Sequence, residues 1–563
     1  MPEPTAPPTT RRAGVPRLVV AATVAFGLLA AVWSVVAPLG EAPDEPAHLA
    51  LVLHLADGHP YPTYDGLENQ AAIIRLCKTY AAATRACPRP GEVVTPTSVR
   101  RHPLGEAPSK ASRPAWDDEG GDRSVGQVNQ MPQHPPLYYE AMATVLRVER
   151  GVRGGPWSAD RELALLRLVN ALLVAPLPLL AWWAARRFGA TGATASAAAL
   201  APFLLPMLTH IGSTLNNDNL LTLLGAAIVA LGAGVARGDR SARTAIGLGV
   251  LVGLGLLTKA FALVFPPFLL LAYVVGAREV ARRDDAAEPG AGAAPEGAWG
   301  RWRAPVTCLA IVGVLAVAIA GWFYVGRKVQ TGRFTPTTED LHYTTAMQTP
   351  GFEPSLPTFA RQLAWAVDTR AWGSFGWYTV RVPGWWAALA TLAVAVALGA
   401  ALWRRRDEAD STRGQRLVLL VPSALLGLLV AQHAWSLYTT TSKFQFMQGR
   451  YLFAGVAGMS VLVALGTRRA LGRWAAVGLA AAAALLQVDA LRRCLEVWWG
   501  GPGLGPRGQA RALVAWSAWP GEALGLLAVL AVAAGAWLVV ELVLGLRAAP
   551  QAADADLVGS TPP

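Results

Sequence analysis

Twelve stretches of predominantly apolar sequence, most of them near the length of a bilayer crossing, constrain this chain more than any other feature. A helix needs roughly 20 apolar residues to span about 30 Å of hydrocarbon, where every backbone group must be satisfied without water. The runs lie near 17–38, 162–185, 193–211, 218–236, 243–258, 260–277, 305–325, 385–403, 415–434, 450–467, 474–490 and 521–545. The first follows a Pro/Thr-rich tail that ends in Arg11 and Arg12. It exceeds the core of a signal peptide and lacks a clear small-residue cleavage site, so it reads as a retained anchor. Composition agrees: 53% of the 563 residues are hydrophobic and 15% are charged, against roughly 25% charge in a soluble domain. A disordered chain, a nucleic-acid-binding domain and a conventional soluble enzyme are thereby excluded. The pattern predicts an all-α integral membrane protein of about twelve transmembrane helices.

The net charge of +12 comes from 49 Lys and Arg against 37 Asp and Glu, and its distribution sets the orientation. Arg11/Arg12/Arg17, Arg186/Arg187, Arg237/Arg240/Arg243, Arg282/Arg283, Arg404/Arg405/Arg406 and Arg468/Arg469/Arg473 share one side if both termini are cytoplasmic, as the positive-inside rule requires. The five lysines, Lys78, Lys110, Lys259, Lys328 and Lys443, then fall outside. Residues 17–545 form the membrane domain between disordered cytoplasmic tails, 1–16 and 546–563. Segments 39–161, 326–384 and 491–520 are external loops, the first with interfacial helices, and 278–304 reads as a flexible cytoplasmic linker. Chemistry therefore belongs on the extracytoplasmic face. The chain has no Walker or Rossmann glycine pattern, which argues against a nucleotide-driven reaction. No CxxC pair is present; Cys77 and Cys87, both in the first external loop, are candidates for a disulfide.

Polar residues gather at the outer ends of the runs. Glu41-Ala-Pro-Asp44-Glu45-Pro-Ala-His48 follows the first span, with Asp44 near a helix N-cap and His48 one turn on. The helix it opens is expected to be amphipathic and to lie on the membrane surface. A capping carboxylate with a solvated neighbour accounts for the same residues. Gln133-His134-Pro135-Pro136-Leu137-Tyr138-Tyr139 opens a stretch ending near Arg147 that is too short to span and suits a second interfacial helix. Asn216-Asn217-Asp218-Asn219 precedes the fourth span with more polarity than a cap needs. Lys259, between two apolar runs, and Lys443 and Arg450, ahead of the tenth, are outer cations. An anionic lipid phosphate would explain them, and snorkelling to the headgroups is the plain alternative. Trp372, Trp377, Trp385 and Trp386 read as interface anchors rather than a sugar platform.

In this order, PDEPAH, HPPLYY, the acidic turn at Asp218, LTK at Lys259 and QGRYL resemble the GT-C superfamily. These are multi-spanning glycosyltransferases that use polyprenyl-phosphate-linked sugars. The motifs look most like a bacterial branch of membrane proteins of unknown function, associated with decorating cell-surface polysaccharides. The resemblance runs from the first span to about residue 455. It implies that Asp44 is the general base, with Glu45 the rival acid, and that Asp218 is the acid of the second outer turn. It also implies that Lys259 and Arg450 lie near the donor phosphate. His48, His134, Tyr138, Asn217 and Lys443 complete the candidate substrate-binding set. No MIR-type domain is recognisable, so the acceptor stays open.

The chemistry suits the parts. A sugar on a lipid phosphate already has a good leaving group, so one carboxylate that deprotonates the acceptor hydroxyl suffices, and fixed cations stabilise the departing phosphate. A single displacement inverts the anomeric centre. The adjacent acids can instead hold a divalent cation, although the surrounding ligand set is thin. The expected partners are a polyprenyl-phosphate sugar, a cell-envelope glycan, lipid or protein acceptor, and membrane lipid, with no nucleic acid. A flippase for lipid-linked saccharides and a polysaccharide polymerase or ligase are the competing functions.

Overall fold

The computed structural model describes residues 14–81, 102–121, 123–286, 300–338, 344–403, 411–501 and 503–558. Its helices in chain order are α1 (Arg17–Val36), α2 (Glu45–Ala56), α3 (Ala71–Tyr80), α4 (Leu137–Arg153), α5 (Ala159–Val174), α6 (Leu177–Arg187), α7 (Gly192–Ala198), α8 (Pro206–Gly212), α9 (Asp218–Ala236) and α10 (Ala242–Leu256). There follow α11 (Phe265–Ala286), α12 (Gly300–Thr331), α13 (Leu356–Trp372), α14 (Gly384–Leu402), α15 (Arg413–Thr441), α16 (Val456–Leu471), α17 (Ala475–Trp498), α18 (Pro506–Trp516) and α19 (Gly521–Val558). Two short antiparallel pairs accompany them: β1 (Glu68–Gln70) with β2 (Ser124–Val128), and β3 (Ser374–Phe375) with β4 (Val380–Arg381).

Among the described residues nine helical stretches are long and apolar enough to cross a bilayer, or ten if the α7–α8 pair, bent by 72°, is one span. The expectation of about twelve differs for two physical reasons. Helix α10 has only 15 residues, and 449–498 counts as one helical stretch although a 3-10 turn at Gly472–Trp474 divides it into α16 and α17, which pack together as two crossings would. Helix α9 is the centre of the bundle, with 78% of its apolar window buried, whereas the apolar window of α19 is 6% buried. Small residues let the helices approach closely, as membrane packing favours. A Cβ on Gly466 of α16 would stand 1.8 Å from the carbonyl oxygen of Ala397 on α14.

The arginine clusters meet at one end of the bundle. Arg187 pairs with Asp239 at 2.5 Å, Arg237 donates to Gln415 at 2.9 Å, and Arg416 and Arg469 both reach the carbonyl of Ala401 at the end of α14. Helices α2, α3 and α4 cover the other end. There the first and third loops are knitted together: Arg113 pairs with Asp160 at 2.6 Å and donates to the carbonyls of Ala515 and Ser517 at 2.9 and 3.0 Å.

Several expectations need correction. Helix α2 is not an amphipathic surface helix: Leu49, Ala50, Leu51, Val52, Leu53 and Leu55 are all buried, because α4 and α3 pack on it from outside. Helix α4 continues past Arg147 to Arg153 and ends on Gly154 in the left-handed conformation that stops helices. The linker proposed at 278–304 is helical at both edges, since α11 runs to Ala286 and α12 starts at Gly300. Helix α19 likewise continues through residue 546 to Val558, into the stretch read as a tail. Cys87, most of the N-terminal tail and Arg404–Arg406 lie outside the described residues.

Replacing Gly466 by Leu is expected to push α14 and α16 apart and lower stability by about 1–3 kcal/mol, the usual cost of overpacking. A reduced melting temperature in detergent checks this.

Candidate active site

The site is built on an arginine inside a membrane helix. Helix α1 ends at Val36, leaving carbonyls that its own geometry cannot satisfy. Arg167 of α5 donates to the carbonyls of Ser34, Ala37 and Pro38 at 3.0, 2.6 and 2.8 Å. The same guanidinium grips Glu45 as a fork, Nε to Oε1 at 2.7 Å and Nη2 to Oε2 at 2.5 Å. Glu45 also accepts the backbone N–H of Gly40 at 3.0 Å and of Leu215 at 3.1 Å. Four donors fill the acceptor capacity of a carboxylate, and both side chains are fully buried. Glu45 is therefore corrected from a candidate catalytic acid to a structural one. It follows Asp44 by one residue, which in a helix turns the side chain by about 100° and points it inward.

Asp44 faces the other way. It caps α2 in the left-handed conformation, with φ 65°, which an aspartate tolerates better than most side chains. Its carboxylate keeps 26% exposure, and its Oδ2 lies 2.6 Å from Nη2 of Arg450. Arg450, 3% exposed, places Nε 3.4 Å from Oδ2 of Asp218. Asp218 Oδ1 in turn stands 2.5 Å from Nζ of Lys259. Acids and cations from four distant segments thus alternate in one chain. Burial pushes the Lys259 ammonium below its ordinary range, and the neighbouring Asp218 opposes that shift. The Lys259 ammonium also sits 4.9 Å from the ring centres of both Phe261 and Tyr451. Although buried, Nε and Nη1 of Arg450 and Oδ2 of Asp218 have no hydrogen-bond partner among the described residues.

A neutral polar rim surrounds these charges. His48 Nδ1 and Tyr139 Oη are 3.0 Å apart, and Asn217 donates to the same hydroxyl at 3.4 Å. Lys259 reaches Asn217 Oδ1 at 3.4 Å. Burial, reinforced by Lys259 and Arg450, holds His48 well below the usual histidine range, so the ring is neutral. His134 is shifted the same way by burial and by Lys259, and its carbonyl accepts the Tyr61 hydroxyl at 2.7 Å. Tyr138 is corrected: its hydroxyl donates to Asn170 at 2.9 Å inside the protein, and Tyr139, the next residue on the helix, is the tyrosine that faces the cluster. Lys443 stands half-buried just beyond the end of α15, where its N–H bonds to Thr441.

Residues the motifs did not single out hold the rest. Asn170, three positions after Arg167, accepts from Tyr138 and from Asn219, each at 2.9 Å, and so joins α4 and α9. An arginine and an asparagine three apart in an apolar run were the available signal. The β3–β4 hairpin docks on the turn that precedes α2: Thr379 donates to Glu41 at 2.7 Å, Trp377 to the carbonyl of Gly40 at 3.3 Å, and Gly376 N–H to His210 at 3.1 Å. Gly449 lets the 3-10 turn that carries Arg450 press on α13, since a Cβ there would stand 2.3 Å from the nitrogen of Ala371. Trp372 is buried and bonded to Thr391, whereas Trp385 is 66% exposed, as an anchor would be.

A divalent cation does not fit these residues. No group of three or more His, Cys, Asp or Glu that could hold a metal exists among the described residues. Asp44 and Asp218 are already faced by Arg450 and Lys259, which supply the positive charge a metal would bring.

Glu45→Gln and Arg167→Ala each leave a buried charge uncompensated and are expected to destabilise the protein by about 3–5 kcal/mol. Asp44→Asn, at the exposed edge, is expected to change the melting temperature little. Thermal unfolding of the three purified variants separates the roles.

No curated protein is similar to the chain at a significant level. Among solved structures it is similar to ArnT from Cupriavidus metallidurans bound to undecaprenyl phosphate, with 15% identity and a TM-score of 0.45 over 94% of this chain and 75% of that one. It is also similar to the archaeal oligosaccharyltransferase AglB from Archaeoglobus fulgidus in complex with an inhibitory peptide and a dolichol-phosphate, with 12% identity and a TM-score of 0.39 over 90% of this chain and 59% of that one. The match at family level covers residues 26–459, from within the first span through the Arg450 segment, and the chain belongs to the family of predicted membrane proteins DUF2142.

Proposed function

We propose that this protein is a GT-C-type membrane glycosyltransferase that moves a sugar from a polyprenyl phosphate to an acceptor in the cell envelope. The observation that carries the reading is the buried chain Asp44–Arg450–Asp218–Lys259, in which Asp44 alone keeps an exposed carboxylate edge, Nη1 of Arg450 has no partner among the described residues and Nε is held only by the long contact to Asp218. Unused donors on a buried guanidinium suit an incoming phosphate, which Arg recognises by paired hydrogen bonds. The motifs that resemble GT-C enzymes are the ones that bear these four residues.

In this mechanism the acceptor hydroxyl approaches Asp44, which takes its proton as oxygen bonds to C1 of the sugar. The C1–phosphate bond breaks on the opposite face, and the anomeric centre inverts. Charge growing on the departing lipid phosphate is taken up by Arg450 and Lys259, preorganised in a site of low dielectric. His48 is neutral and bonded to Tyr139, so it orients the rim rather than transferring the proton. The positive-inside rule supports an extracytoplasmic site and cytoplasmic termini, because the arginine clusters meet at the end of the bundle away from Asp44.

A flippase would favour broken helices in corresponding halves and charges along a mid-membrane path. Among the described residues one bent pair, α7–α8, is present, and the charge cluster sits where spans end.

Transfer of labelled sugar from a polyprenyl phosphate in proteoliposomes tests the proposal. Asp44→Asn is expected to lower the rate by about 10²- to 10⁴-fold, the range for losing a general base. Arg450→Lys and Lys259→Gln are expected to raise the donor concentration required while leaving the acceptor requirement in place. Undiminished transfer in a folded Asp44→Asn variant would remove Asp44 as base.

A further inference from the structure

Several arginines described near this end of the bundle are matched by a carboxylate: Arg113 by Asp160, Arg150 by Glu162 and Asp57, Arg167 by Glu45, and Arg450 by Asp44. Two beside the site are not. Arg370, on the last turn of α13, stands 4.4 Å over the ring of Tyr378 and spends one donor on the carbonyl of Met447 at 2.9 Å. Arg381, on β4, lies 5.8 Å over Trp365, a ring that is 44% exposed. Neither arginine forms an ion pair among the described residues, and Arg381 pairs across the hairpin with Ser374, four residues after Arg370.

Tyr378 ties this pair to the described site. Its ring lies under Arg370, and Met447, whose carbonyl accepts from Arg370, precedes Arg450 by three residues. The hairpin that carries Tyr378 is pinned on both sides through Thr379–Glu41, Trp377–Gly40 and Gly376–His210. Within it Tyr378 is held at φ 61°, a conformation costing of order 1–3 kcal/mol that persists only where surroundings enforce it. Capping Met447 explains one donor of Arg370 and none of Arg381. Two neighbouring cations without a carboxylate, Arg381 exposed and Arg370 half-buried on a pinned support, are open to an anion from solution.

We propose that Arg370 and Arg381, beside Tyr378, form a second anion-binding subsite for a phosphate or carboxylate group carried by one of the two substrates. The assignment to a substrate rests on the transferase reading; anion binding itself does not. The anionic group has two possible sources: a second phosphate on the lipid donor, or an acidic group on the acceptor glycan.

The test is the affinity of the full-length protein in detergent for two pairs of probes, undecaprenyl phosphate against undecaprenyl pyrophosphate, and a neutral oligosaccharide against one bearing glycerol phosphate. The wild-type protein is expected to favour the more anionic member of one pair by about tenfold or more, as charged hydrogen bonds imply. The Arg370→Gln/Arg381→Gln double variant should lose that preference while its affinity for undecaprenyl phosphate holds. A preference within the lipid pair assigns the subsite to the donor, and within the glycan pair to the acceptor. No preference in the wild type, or one retained in the double variant, overturns the proposal. Arg381→Gln alone, which removes no hydrogen bond among the described residues, keeps the test available if the double variant does not fold. Failure of undecaprenyl phosphate to bind the wild type counts against the transferase reading instead, so the two failures are distinguishable.

Discussion

Arg167 and Glu45 meet in an interior that excludes water, and the arrangement of the site depends on that meeting. A buried ion pair is not a strong net source of stability, because desolvation offsets most of the attraction. Its effect here is geometric. One guanidinium closes the end of α1 through three carbonyls and fixes the first turn of α2 through Glu45, whose oxygens also hold Gly40 and Leu215. The turn between the helices thereby has a single conformation, and Asp44, one residue before Glu45, is held outward in a backbone region it would otherwise leave.

The same economy of charge governs the site. Four ionised groups lie in a region of low dielectric, where an unpaired charge is far more costly than in water. Alternating Asp44, Arg450, Asp218 and Lys259 keeps the group neutral overall. It also leaves Nη1 of Arg450 without a hydrogen-bond partner among the described residues. The neutral ring of His48 and the hydroxyl of Tyr139 satisfy the rim without adding charge.

Much of the site was legible because membrane proteins restrict where polar residues can stand. Asp44, Asp218, Lys259 and Arg450 each interrupt or border an apolar run, and they converge as the shared motif order implied. Glu45 and Tyr138 were misread for one reason: a motif gives adjacency along the chain, whereas a helix sends neighbouring side chains in different directions. Asp44 and Tyr139 face the cluster, and their neighbours face the core. Arg167 and Asn170 were overlooked because a solitary polar residue in an apolar span shows its importance only through a partner, and their partners lie more than a hundred or about thirty residues away.

The sequence by itself determined a multi-spanning helical protein, the grouping of its arginines and the segments able to carry chemistry, since hydrocarbon thickness and the cost of buried charge act on local composition. Tertiary structure alone decided which acid is presented and which is consumed in support, that α2 is roofed by α4, and that the hairpin of the second large loop lies against Gly40 and Glu41. Those outcomes depend on contacts between residues far apart in the chain, such as Thr379 with Glu41 and Gly449 with Ala371. Local periodicity carries no information about such contacts, because packing shape and hydrogen-bond direction are fixed only when the helices have come together.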